Sequence, residues 1–166
     1  MDATVNPKNK LKNGFKNWIR FSSGMQIKDV HKWEKAVIAI YNFDGWDLEW
    51  CGGGFEHYDA VGRTPKGYEC VIEMKFRQTY YPTKMLEVDK YNRLMNMPHD
   101  MVKLYFVNDP KANYLFYLNE IEMPEPVEMY CPDTTMWTKS RKMKQVYLLD
   151  ESQAIIKNLN SNEIFN

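Results

Sequence analysis

Residues 69–77 read Glu-Cys-Val-Ile-Glu-Met-Lys-Phe-Arg, and the fold turns on this stretch. Its apolar and β-branched positions predict a strand, in which successive side chains alternate between faces. Ile72, Met74 and Phe76 then point into a core, while Glu69, Val71, Glu73, Lys75 and Arg77 point the other way. Glu73 and Lys75 share the less apolar face, about 7 Å apart along the strand. Just upstream, residues 55–62 read as a second strand with His57 and Asp59 on one face. Thr64-Pro65-Lys66-Gly67 reads as the hairpin turn between them. Folding one strand back on the other lets Asp59 lie beside Glu73.

Working outward, residues 28–41 carry Val30, Glu34, Val37, Ile38 and Tyr41 on one face at helical spacing. Residues 42–45 break that helix and 46–51 read as a strand, joined to the next by Gly52-Gly53-Gly54. The triplet lacks the Gly-Lys-Ser/Thr ending of a phosphate-binding loop, so it reads as a turn. On the other side, Pro82-Thr83 opens a predicted helix to about Met97, stopped by Pro98. Strands are expected over 102–107 and 114–118, a proline-marked extended loop over 124–132, a strand over 145–149 and a tail helix over 152–159. Residues 6–21 read as a helix or a basic arm. The order α-β-β-β-α-β, with additions at both ends, predicts an α/β layer arrangement: a three-stranded meander covered by two helices.

A chain of 166 residues, 44% hydrophobic and 27% charged, fits one globular domain over 1–166, with its core about 28–118. Cys51, Cys70 and Cys131 form no C-x-x-C pair, which argues against a zinc site or a disulfide framework and for a cytoplasmic setting. No apolar run is long enough for a membrane span, and no membrane partner is expected. Net charge is zero, but it is unevenly spread. Lys8, Lys10, Lys12, Lys16, Arg20, Lys28, Lys32 and Lys35 stand against Asp2, Asp29 and Glu34 in residues 1–35. Lys139, Arg141, Lys142 and Lys144 form a second basic cluster, and charges between Glu120 and Asp133 are all acidic. If the basic segments meet in space they form a face for phosphates; otherwise they are ordinary solvated faces.

Two carboxylates held as close as Asp59 and Glu73 repel each other unless a cation sits between them. Oxygen ligands of this type suit Mg²⁺ or Mn²⁺. A neighbouring lysine can orient an attacking water and balance charge in a phosphoryl transition state. The same residues also read as plain ion pairs in a sheet.

Asp59, thirteen intervening residues, then Glu73-Met74-Lys75 resembles the D…(D/E)-x-K motif of the PD-(D/E)XK nuclease superfamily. The element order over residues 28–118 is similar to its restriction-endonuclease-like core, a mixed sheet flanked by helices. Tyr58 stands where the motif's proline would be. The resemblance implies catalytic roles for Asp59, Glu73 and Lys75, and metal coordination by Asp59, Glu73 and the Met74 carbonyl. Glu34, a charge on a core-facing stripe that needs a partner, is similar in place to the first-helix glutamate of junction-resolving members. The alternative is pairing with Lys28, Lys32 or Lys35 at the stripe's edge. Lys90, on a stripe with Leu86, Leu94 and Met97, together with Arg77 and Gln78, marks the candidate nucleic-acid contacts. A snorkelling Lys90 is the other reading.

The expected function is therefore a Mg²⁺- or Mn²⁺-dependent endonuclease that hydrolyses DNA, either a structure-selective enzyme such as a Holliday-junction resolvase or a general phage-type nuclease, of a kind that commonly works as a homodimer. The alternatives are a non-catalytic nucleic-acid-binding module of the same fold, or a protein-interaction or inhibitor domain using the acidic segment 120–133.

Overall fold

The computed structural model describes residues 27–54, 56–133 and 140–159. The expected arm over residues 6–21 and Lys139 lie outside them. A helix α1 (Ile27–Phe43) leads into the meander β1 (Asp47–Trp50), β2 (Ala60–Arg63) and β3 (Glu69–Phe76). Strand β4 (Thr83–Glu87) and helix α2 (Val88–Met95) then cross over to β5 (Val102–Asn108), which pairs parallel with β3. Next come β6 (Ala112–Tyr117), β7 (Val127–Pro132), β8 (Arg141–Asp150) and β9 (Ile156–Leu159).

The main sheet is mixed, in the order β1-β2-β3-β5-β6-β9, and a second sheet has the order β4-β8-β7. This is the α/β class and the restriction-endonuclease-like core expected from the sequence. Side-chain alternation in β3 places a core on each side of the main sheet. Cys70, Ile72, Met74 and Phe76 meet Val37 and Ile38 of α1 on one face. Val71 meets Leu86 of β4, Leu94 of α2 and Leu149 of β8 on the other. The catalytic candidates thus project toward a face that is itself covered, and Glu73 is only 2% exposed. Among the described residues, no helix is long and apolar enough to cross a membrane.

Four expectations need correction. The strand expected over 55–62 is β2, which begins only at Ala60, so His57 and Asp59 precede it. The helix expected from Thr83 begins only at Val88, because residues 83–87 form a strand whose Lys84 and Leu86 are buried alternately. Leu86 therefore belongs to β4 and not to a helical stripe with Lys90. The extended loop over 124–132 contains β7, and the strand expected over 145–149 is the longer β8 that pairs with it. The tail helix is a single 3₁₀ turn (Glu151–Gln153) followed by β9, which hydrogen-bonds to β6 as an edge strand of the main sheet. For β4 and β9 a partner far along the chain decided between helix and strand, and for β7 the next strand did, which local periodicity cannot report.

A buried ion pair ties the two sheets together. Lys84 of β4 donates to Asp109 at 2.6 Å, with both side chains almost wholly buried. Its ammonium also lies 4.1 Å from the centre of the Tyr114 ring.

Candidate active site

β2 and β3 pair antiparallel, with Ala60 opposite Ile72. One residue before β2, the Asp59 backbone N–H donates to the Ile72 carbonyl at 2.9 Å. Its carboxylate accepts from the Met74 N–H at 2.7 Å. The Asp59 side chain thereby serves as a ladder acceptor for β3, which fixes it beside the Glu73-Met74-Lys75 segment. This hydrogen bond uses the amide of Met74, while its carbonyl belongs to the peptide leading into Lys75.

α1 brings in Glu34, 5% exposed. Its carboxylate accepts from the Trp50 indole N–H at 2.8 Å, and Asp59 is near enough to perturb it. Two of the lysines weighed as partners are engaged elsewhere: Lys32 approaches Asp29, and Lys35 lies 4.0 Å above the Trp50 ring; the Lys28 side chain lies outside the described residues. Trp50 was not a sequence candidate, yet it is the residue that holds Glu34. The Gly52-Gly53-Gly54 triplet has a similar role in packing. A Cβ on Gly52 would lie 2.6 Å from Glu34 Oε2, 2.9 Å from Trp50 Nε1 and 3.2 Å from Asp59 Oδ1. Only a residue without a side chain lets the loop pass so close to both carboxylates.

Three carboxyl groups are held above their ordinary range. Burial raises Glu34, and the charge of Asp59 adds to the effect. Burial raises Asp59 too, opposed by the Met74 hydrogen bond and by Lys90 and Lys75. Burial and then Asp59 push Glu73 up to about 7, against the pull of Lys90 and Lys75. Burial lowers Lys75, helped by the positive charges of Arg77 and Lys90. Each group pays for desolvation in a cluster that mixes both signs of charge.

Lys90 of α2 reaches back to Glu73 Oε1 as an ion pair. Burial alone would lower Lys90, but the charge of Glu73 and its hydrogen bond prevail and raise it. The other oxygen, Glu73 Oε2, is buried without a hydrogen-bond partner among the described residues. Arg77 and Gln78 follow β3, each with a buried terminal nitrogen that has no hydrogen-bond partner among the described residues. Arg77 continues the pairing with β5 through its N–H to the Asn108 carbonyl at 2.8 Å.

Buried oxygen donors with raised proton affinity and one orphaned oxygen fit a hard divalent cation. Even so, among the described residues no three His, Cys, Asp or Glu side chains stand together as a ready-made cage. Glu73 is turned toward Lys90.

The chain shares its fold with a Holliday junction resolvase. Hjc, a Holliday junction resolvase from the archaeal hyperthermophile Archaeoglobus fulgidus, superposes with a TM-score of 0.52 at 17% sequence identity. The match covers 80% of this chain and 92% of the resolvase. No protein-family model matches the sequence, and no curated protein matches it. The likeness to Hjc is therefore one of fold, reached with little shared sequence.

Proposed function

We propose that this protein is a divalent-metal-dependent endonuclease that hydrolyses phosphodiester bonds in DNA, preferring branched substrates such as Holliday junctions. The observation that carries the proposal is the convergence of Glu34, Asp59, Glu73 and Lys75 on the meander of a resolvase-like fold. Asp59 and Glu73, with the Met74 carbonyl and Glu34, would hold Mg²⁺ or Mn²⁺. When bound, such a cation supplies Lewis acidity and lowers the proton affinity of a water.

The remaining work falls to the chain's own groups. Asp59 is anchored by the Met74 N–H and Glu34 by Trp50, so the ligand set is held by β3 and α1 without large side-chain freedom. Lys75, lowered by burial, holds a proton at Nζ that it gives up more readily than a surface lysine. It is suited to orient a nucleophilic water and to steady the negative charge that grows on phosphate oxygens. A homodimer would present two such sites to a symmetric junction.

The Glu73–Lys90 pair supports a second reading, a DNA-binding module that does not cut. Cleavage of four-way junction, nicked, single-stranded and duplex DNA in Mg²⁺ and Mn²⁺ separates the two. Asp59→Ala and Lys75→Ala should each lower the rate at least about 100-fold, the scale of losing one electrostatic stabiliser. Variants that cut as fast as the parent would show that the activity resides elsewhere. A parent that binds junctions and never cuts would leave the binding module.

A further inference from the structure

The Glu73–Lys90 pair is strongly asymmetric. The Glu73 side chain is 3% exposed and that of Lys90 42%. The carboxylate is buried, while the ammonium sits at the end of a flexible stem that already reaches solvent. Lys90 also forms part of two separate walls. On one side is the narrow cleft that contains Glu73, Lys75 and Tyr105. On the other is a groove of about 520 Å³ between α2 and β8.

That groove is nearly neutral without Lys90. Arg93, Lys142 and Lys144 face Glu87, Asp89 and Asp133 across it. Most of these charges are already engaged. Lys142 pairs with Asp133 at 2.8 Å, and Lys144 reaches both oxygens of Glu87 at 3.1 Å. Arg93 approaches His57 Nδ1 at 2.9 Å. An ammonium moved from Glu73 into the groove would tip its balance to positive.

We propose that Lys90 holds the cation's place beside Glu73 in the metal-free protein and moves into the α2–β8 groove when a divalent cation binds. There it becomes a contact for the phosphodiester backbone of DNA. The proposal rests on the metal reading of the Asp59–Glu73 site. It explains why no ready-made cage is present: one of its corners is filled by an internal cation that balances a buried carboxylate. It also sets an order of events. Cation loading comes first and switches on a phosphate site on the far side of Lys90.

The test measures binding, not cleavage. Titration calorimetry with Mn²⁺ alone, at about pH 8.5 so that Glu73 is ionised throughout, compares the parent with Lys90→Met and Lys90→Gln. Both variants change a half-exposed helical position, and their melting curves report whether they fold. Freed of an internal competitor, they should bind Mn²⁺ about tenfold more tightly, the scale of one charge-assisted hydrogen bond. A second measurement follows a fluorescent duplex by anisotropy in Ca²⁺ and in EDTA over a salt series. Ca²⁺ should steepen the parent's dependence of log affinity on log salt by about one, as one more phosphate contact predicts. Neither variant should show that change. A variant that binds Mn²⁺ no better than the parent, or a parent with equal salt dependence in Ca²⁺ and EDTA, overturns the proposal while leaving the metal site standing. A parent that binds no divalent cation overturns the metal reading and this proposal together.

Discussion

Gly52→Ala tests how the two carboxylates are packed. The added methyl would lie 2.6 Å from Glu34 Oε2 and 2.9 Å from Trp50 Nε1, well inside the ~3.5 Å of an optimal non-bonded contact. Two responses are open to the protein. If the loop stays in place, Glu34 and Trp50 must part, and the 2.8 Å bond between them is lost; a bond to a charged group is worth about 1.5–3 kcal/mol. If Glu34 and Trp50 stay, the loop must lift, and overpacking of this kind costs about 1–3 kcal/mol. The two are alternatives and do not add, so Gly52→Ala should destabilise by about 1–3 kcal/mol. Urea denaturation should show a lower midpoint at unchanged slope. The double variant with Glu34→Ala should recover part of the loss, because the crowded atom is gone. If the two changes are simply additive, Glu34 is not what Gly52 makes room for, and the reasoning is wrong.

Three further outcomes are expected. Gly62→Ala should be harsher than Gly52→Ala, because its methyl would meet the Asp47 carbonyl oxygen at 1.9 Å and Leu48 Cα at 2.8 Å; backbone cannot swing aside, so loss of cooperative folding on a melting curve is expected. Lys84→Met should cost about 1.5–3 kcal/mol in denaturant titration, the scale of one hydrogen bond to a charged group, because Asp109 loses its 2.6 Å contact while keeping the Lys111 and Ala112 N–H donors; a near-neutral result would refute that role. In metal-free buffer, folded Glu73 keeps its proton to about 7, whereas the unfolded group releases it near its ordinary value of 4.5. Between those values the unfolded state binds fewer protons, so stability should fall as pH rises through that window. Glu73→Gln should flatten the dependence of melting temperature on pH there; an unchanged profile would assign the effect to other groups.

The strand from Glu69 to Phe76 was legible because its two-residue period is short and local, broken only by Val71 on the polar face. The element order and the placement of Asp59 beside β3 follow from that strand and the turn before it. Glu34 was legible for a different reason, as a charge on an apolar stripe. Trp50 and Gly52 were not: an indole in a strand and a glycine in a turn have many uses, and only the approach of α1 gives them this one. β4 was hidden because Leu86 suits a helical stripe and a strand equally well. Its partner β8 lies across the whole β5–β7 segment, and nothing in residues 83–87 announces it. Lys90 was picked out as a phosphate contact, but its pairing with Glu73 depends on how α2 docks against β3.

The pairing of β4 with β8, Thr83 opposite Asp150, has a consequence for how the molecule comes into being. Glu34, Asp59, Glu73 and Lys75 are all supplied by the helix and meander that precede β4. The groove needs Lys142 and Lys144 from a strand near the other end of the described chain. Contacts between neighbours along the chain form quickly, and distant pairings wait for a long loop to close. During synthesis, the residues proposed to hold a cation therefore emerge together and can assemble while the strand that completes the groove is still unmade. The proposed cation pocket then matures first, and the proposed phosphate groove arrives with the last strands.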